Sequence, residues 1–197
     1  MKRKVNIMPM AGDGIRLKKA GYILPKPLIE IGGEYMFIKS ARCMPKADKW
    51  IFITKDEFVK NNNIDKIINK NFINAQIITV TETTQGQASS CYLSKNYLKD
   101  NDRIFINSCD SFIHYDEKIY ENKITNSEVI VFSTNVKNIH KKNPNSYGWI
   151  KKNKNLNYEL SCKKPFDSNF DNQRPIVGSF AFSNSSVFIK CLEEFSA

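Results

Sequence analysis

The residues best suited to chemistry lie close together near the start of the chain. Residues 7–28 read IMPMAGDGIRLKKAGYILPKPL: a short apolar run, the turn Gly12-Asp13-Gly14-Ile15-Arg16, and then Lys26 between Pro25 and Pro27. Glycines at 12 and 14 remove two β-carbons from a strand-exit loop, so its backbone can take left-handed angles and bring N–H groups close to a polyphosphate. Arg16 offers a bidentate fork and Lys26 a point charge, which suits a site where negative charge shifts between phosphates during a reaction. Two familiar loops do not fit. A dinucleotide fingerprint needs a third glycine where Leu17 stands, and a P-loop needs Gly-Lys-Ser/Thr where Leu17-Lys18-Lys19 follows Arg16. An ordinary turn accounts equally well for Gly12 and Gly14 alone, and the added Arg16, Pro25 and Lys26 weigh against it.

These residues must be held by a scaffold, and the hydrophobic pattern supplies one. Residues 5–10, 50–54, 75–80, 103–107 and 129–133 read as strands, while 35–43, 56–69, 88–97 and 116–125 read as helices, with Ile64, Ile67 and Ile68 on one face. This alternation predicts an α/β fold with a mainly parallel sheet covered on both faces. After residue 135 the pattern changes to shorter β-like pieces at 147–150, 158–161 and 176–182, closed by a helix over 186–195. The expected organisation is one domain over 1–197, in two parts, 1–135 and 136–197. No internal repeat or low-complexity linker interrupts it.

In open α/β sheets ligands bind beyond the carboxyl ends of the strands, so the residues just after each strand come next. Asp110 follows the strand at 103–107. A carboxylate there is costly unless paired or metal-bound, and Mg²⁺ takes one or two carboxylates together with phosphate oxygens, so Asp110 is the expected magnesium ligand. The pair Asp100-x-Asp102 precedes its strand, at the wrong end of the sheet, and reads as a turn. The polar loop 81–88 runs into a helix that Thr83 or Thr84 could cap. Gly148 stands in a strand, where glycine otherwise marks a bulge.

The segments Ala11-Gly12-Asp13-Gly14-Ile15-Arg16 and Pro25-Lys26-Pro27-Leu28 resemble the signature of the sugar-phosphate nucleotidyltransferases, or pyrophosphorylases: Ala-Gly-x-Gly-x-Arg followed by Pro-Lys-x-Leu. Ile15 departs from the Thr or Ser usual after the second glycine. The resemblance extends over about residues 4–190 and implies a Rossmann-like, GT-A-like nucleotidyltransferase fold. It implies that Ala11, Gly12, Asp13 and Gly14 bind the nucleotide, that Arg16 and Lys26 are catalytic, and that Asp110 carries Mg²⁺. Gln85 and Gly86 match the positions that meet the base, with Gln87 an alternative to Gln85. Gly148 in Tyr147-Gly148-Trp149-Ile150, Lys164 in Lys163-Lys164-Pro165 and Gly178 in residues 176–182 match the acceptor site. Lys163 stands where the family has a glutamate, a charge reversal that points away from an ordinary hexose phosphate. The family also carries a second metal-binding Asp on a later strand, which this chain does not reach before Ala197; either the chain is cut short or the metal has one protein carboxylate.

The implied reaction is attack of a phosphate monoester on the α-phosphorus of a nucleoside triphosphate, with release of pyrophosphate. Such a nucleophile needs no general base, so a chain with two histidines suffices. Within the family the chain looks most like the cytidylyltransferases of bacterial capsule and surface-polysaccharide synthesis, which implies CTP and an acceptor such as L-glutamine phosphate. Hexose-1-phosphate cytidylyl-, uridylyl- or thymidylyltransferases come next. A nucleotide-sugar glycosyltransferase and a non-catalytic nucleotide-binding domain are the readings from other classes.

Composition bounds the remainder. A chain of 197 residues, 41% hydrophobic, can bury a sizeable core. Neither a membrane-spanning run nor a signal peptide is apparent, so a cytoplasmic protein is expected. Five scattered cysteines without a Cys-x-x-Cys pair argue against a disulfide scaffold or zinc site. Thirty Lys and Arg against 20 Asp and Glu leave a charge of +10. It is spread along the chain, with Lys151, Lys152 and Lys154 expected in a solvated loop, so it suits small anionic substrates better than nucleic acid.

Overall fold

A computed structural model describes residues 2–153 and 157–196, which form two compact units: Met1–Ile130 with Ala181–Ala197, and Val131–Phe180. The second unit begins at Val131, and the segment from Ala181 onward groups with the first.

The first unit opens with β1 (Lys4–Pro9), α1 (Ile15–Lys19), the two-stranded hairpin β2 (Glu30–Ile31) and β3 (Glu34–Tyr35), and α2 (Met36–Arg42). It continues through β4 (Lys49–Lys55), α3 (Asp56–Asn62), α4 (Ile64–Asn71), β5 (Gln76–Val80), α5 (Gln87–Tyr92), β6 (Arg103–Ile106) and α6 (Glu117–Thr125). Four strands lie in the order β5-β4-β1-β6, all parallel, with Ile7 opposite Ile51 on one side and Ile106 on the other. Consecutive residues Val5 to Met8 and Ile51 to Lys55 are buried, so both faces of these mainly apolar strands are covered, with Asn6, Thr54 and Lys55 as buried polar members. Phe37 of α2 meets Phe52 edge-on at 6.1 Å, and Tyr120 of α6 meets Phe105 at 5.6 Å. Fully burying side chains such as these contributes roughly 1.5–3 kcal/mol apiece. Because the strands are parallel, residues 10–14, 55–56, 81–87 and 107–111 all emerge at one end of the sheet.

The helix expected over 56–69 is divided at Asn63, which takes a left-handed conformation (φ 51°), one that asparagine tolerates better than most residues. Ile64 and Ile68 still bury against the core, while Ile67 is partly exposed. The helix expected over 88–97 ends at Tyr92 and gives way to a 3₁₀ turn at Lys95–Tyr97, where Ser94 Oγ donates to Cys91 O at 2.6 Å. Asp102 accepts from Lys99 N at 2.7 Å and pairs with Arg3 at 2.9 and 2.5 Å while almost wholly buried, a structural role at the amino end of β6.

The second unit contains most of β7 (Val129–Ser133), then α7 (Asn138–Lys142), β8 (Trp149–Lys152), β9 (Tyr158–Ser161) and most of β10 (Gln173–Phe182). Strands β10, β8 and β9 are antiparallel neighbours, and β7 pairs with β10. Trp149 is fully buried, donates from Nε1 to Pro144 O at 2.9 Å, and packs on Phe170. Lys151 and Lys152 lie in β8, not in the expected loop, because the strand runs two residues past Ile150. Lys151 reaches Asp167 at 3.1 Å, and Lys154 falls outside the described residues. A last helix, α8 (Ser185–Ser196), belongs to the first unit. Among the described residues no helix is long and apolar enough to cross a membrane.

Candidate active site

At the carboxyl end of the parallel strands a cleft of ≈ 200 Å³ is lined by the ends of β1 and β6, the loop after β5, and the Pro25-Lys26-Pro27 turn. Glycine is required at position 14 for two reasons. Its φ is +62°, and a β-carbon there would stand 3.2 Å from Lys26 Cβ, so the glycine loop and the lysine turn touch through this point. Gly12 faces open space. Lys26 begins a 3₁₀ turn in which Leu28 N donates to Pro25 O at 2.8 Å and Pro27 and Leu28 are buried. The flanking prolines and the anchored leucine thus fix the base of the lysine and leave its ammonium to reach across the cleft, where it lies 2.5 Å from Asp110 Oδ2.

Asp110 sits in a turn held from beneath. Asn107, fully buried at the end of β6, donates from Nδ2 to Ser40 Oγ at 2.9 Å and to Ser111 O at 2.9 Å. Ser40 Oγ reaches Ser108 O at 2.6 Å. Neither Asn107 nor Ser40 figured among the expected site residues, although a polar Asn immediately before Ser108-Cys109-Asp110 was a signal for such a turn. Cys109 lines the cleft as a buried thiol that desolvation pushes up to about 12, so it stays protonated and inert at neutral pH.

On the opposite wall stand Thr83, Thr84, Gly86, Gln87 and Ser90. Thr84 Oγ1 lies 2.6 Å from Ser90 Oγ, and Gln87 Nε2 donates to Ser108 Oγ at 3.3 Å. Gln87, not Gln85, lines the cleft; Gln85 lies one residue before Gly86 and is exposed. Asp13 points elsewhere: its carboxylate pairs with Lys55 Nζ and accepts from Thr83, and these two bonds hold it below the usual carboxylate range. Arg16 lies on α1, exposed, with no ion pair among the described residues.

The expected residues Ala11, Gly12, Lys26, Gly86 and Asp110 therefore share one cleft, with Gly14 packed behind Lys26. Gly148, Lys164 and Gly178 all lie in the second unit. There Gly148 touches the Ile176 side chain, which a β-carbon would approach to 3.3 Å, and its carbonyl accepts from Ile176 N at 2.8 Å. Gly178 has φ +76°, and Lys164 is exposed on the loop between β9 and β10.

A glycine loop, a lysine reaching across the cleft and a carboxylate at the end of the neighbouring parallel strand thus meet at the carboxyl end of an α/β sheet, where such folds bind ligands. The chain belongs to the nucleotidyl transferase family, which it matches over residues 6–194. Solved structures with the same fold include the nucleoside-diphosphate-sugar pyrophosphorylase from Vibrio cholerae RC9, with a TM-score of 0.74 and 17% identity over 98% of this chain and 78% of that one. The inositol-1-phosphate CTP transferase from T. maritima aligns with a TM-score of 0.72 at 14% identity, over 95% and 72%. The 4-diphosphocytidyl-2C-methyl-D-erythritol synthase from Anaerococcus prevotii DSM 20548 gives 0.64 at 16%, over 99% and 75%. No curated protein matches the chain.

Proposed function

We propose that the chain transfers a nucleoside monophosphate, with CMP from CTP favoured, to the phosphate of a small phosphorylated acceptor and releases pyrophosphate. L-glutamine phosphate is the favoured acceptor, in the making of a capsular or surface polysaccharide in the cytoplasm. The observation that carries nucleotidyl transfer is the Lys26–Asp110 contact in a cleft floored by Ala11 and Gly12. CTP is supported by the kinship of fold with a CTP transferase, and Lys163 in place of the family's glutamate is compatible with the acceptor.

In this reading the acceptor phosphate attacks the α-phosphorus in line and the bond to the β-phosphate oxygen breaks, leaving pyrophosphate. Binding, orientation and charge neutralisation supply the rate. Ala11, Gly12 and Gly14 present backbone N–H groups to the triphosphate, and Arg16 adds a fork for its outer phosphates. Lys26 balances charge that builds at the α-phosphate, while Gly86 and Gln85 or Gln87 border the base. Lys164, with Gly148 and Gly178, receives the acceptor.

The donor set fits magnesium held chiefly by substrate. Among the described residues no three His, Cys, Asp or Glu side chains cluster, and Asp110 offers one half-exposed carboxylate with Lys26 on a single oxygen. Mg²⁺ commonly takes one or two carboxylates and fills its sphere with water and phosphate oxygens. When bound there by Asp110 it would neutralise the triphosphate and favour departure of pyrophosphate.

The test is pyrophosphate release from CTP, UTP, dTTP, ATP and GTP with Mg²⁺, against L-glutamine phosphate, hexose 1-phosphates and phosphocholine. Release with CTP and L-glutamine phosphate is the expected result. Release with a hexose 1-phosphate selects the sugar-phosphate alternative, and silence with every pair overturns nucleotidyl transfer to these acceptors.

A further inference from the structure

We infer that Lys55 is a positioning residue of the nucleotide site, which neutralises Asp13 and holds that carboxylate away from the phosphate cradle. The inference rests on the nucleotidyl-transfer reading above and concerns residues that the family signature leaves open. Asp13 occupies the variable position between the two glycines. It is the only acidic residue in the stretch 10–20, which otherwise holds neutral residues, Arg16, Lys18 and Lys19. A free carboxylate there would face a triphosphate with like charge, which weakens binding wherever water is excluded.

The structure shows how this conflict is resolved. Lys55 ends the inner strand β4, and its side chain is only 10% exposed, a costly place for an ammonium without a partner. Its Nζ pairs with the Asp13 carboxylate, and Glu57 lies further off at 3.7 Å. Thr83 donates to the same carboxylate from the loop after β5. The loop after β1, the end of β4 and the loop after β5 therefore meet on one side chain. Thr83 and Gly12 line the cleft while Asp13 does not. The carboxylate remains ionised because Lys55 and then Thr83 stabilise its charged form, so its charge must be matched by Lys55.

The experiment is a mutant cycle read by calorimetric titration with the triphosphate that the wild-type chain turns over, or with CTP where it turns over none. K55M is expected to weaken triphosphate binding on the order of tenfold. In the D13N background the same change is expected to cost less than about threefold, since the charge it balanced is gone, and K55R should bind within about threefold of wild type. Maximal turnover should change less than the affinity does. Equal losses from K55M in both backgrounds would mean that Lys55 meets the phosphates directly or serves only the fold, and would overturn the inference. Should K55M fail to fold, comparison of D13N/K55M with D13N and of K55R with wild type decides the matter. Silence of the wild type in the pyrophosphate assay would instead overturn the catalytic reading while the binding cycle still decides the role of Lys55; failure to bind any of the five triphosphates overturns both.

Discussion

Two segments that meet at Lys26, the Asp110 turn that lines the cleft and the segment after the glycine loop that lies outside its lining, are built in opposite ways. The turn carrying Asp110 rests on a fully buried Asn107 that bonds to Ser40 and to the turn's own backbone, so almost every polar group beneath it is accounted for. The segment that follows the glycine loop has no such footing. Helix α1 buries none of its residues, and Ile15, Tyr22, Ile23 and Leu24 are exposed, Ile23 to 96%. Gly14 and Gly21, both at positive φ, bracket it. The Asp110 turn is set by the core before any ligand arrives; segment 15–24 has few buried contacts, the property of those parts of a fold that open at low free energy. Lys26 joins them, since its ammonium meets Asp110 and its β-carbon abuts Gly14.

The largest effect should come from cutting that junction. Lys26→Ala is expected to lower turnover by ~10²-fold or more, as loss of a charged contact to the reacting phosphates does. Steady-state pyrophosphate release checks this, and full turnover in the variant would remove Lys26 from the chemistry. Asn107→Ala attacks the Asp110 turn. It strips partners from the Ser40 hydroxyl and Ser111 carbonyl, and should cost ~1–3 kcal/mol, with a thermal midpoint lower by about 2–4 °C for each kcal/mol. An unchanged midpoint would show that the turn does not depend on this buried amide.

The contrast between the two segments also explains what could be read in advance. Strands β1 and β4 were legible because buried parallel strands are near-continuous apolar runs, and the position of Asp110 followed from β6. The break at Asn63 was not, because a single left-handed residue leaves the apolar spacing of Ile64 and Ile68 intact. The pairing of Asp13 with Lys55 was hidden for a different reason: a side chain on the loop after β1 and one at the end of β4 meet only once β1 and β4 are neighbours. The choice between Gln85 and Gln87 turned on which residue opens α5, a boundary that sequence pattern alone places poorly. The hairpin of β2 and β3 was missed although Gly32-Gly33, both at positive φ, is a turn signal of the primed type.

Gly14→Ala should show the cost of placing a β-carbon where the two segments meet. A residue other than glycine at left-handed angles costs roughly 1–2 kcal/mol, and here the added carbon also presses on Lys26. A lower thermal midpoint together with a raised KM for the triphosphate is expected. Loss of stability without a change in KM would mean that Lys26 adjusts freely and that the two segments are not coupled through its stem.

The smallest expected effect is the sharpest check on the exposed segment 15–24. With Ile23 at 96% exposure, Ile23→Ser removes almost no buried apolar area, and the cost to stability should stay within about 0.5 kcal/mol, as for other surface positions. The midpoint of thermal unfolding should then move by no more than about 2 °C. A fall several times larger would place Ile23 against an apolar surface of the folded chain in solution. The segment 15–24 would then be packed like the Asp110 turn, and the difference drawn between the two segments would disappear.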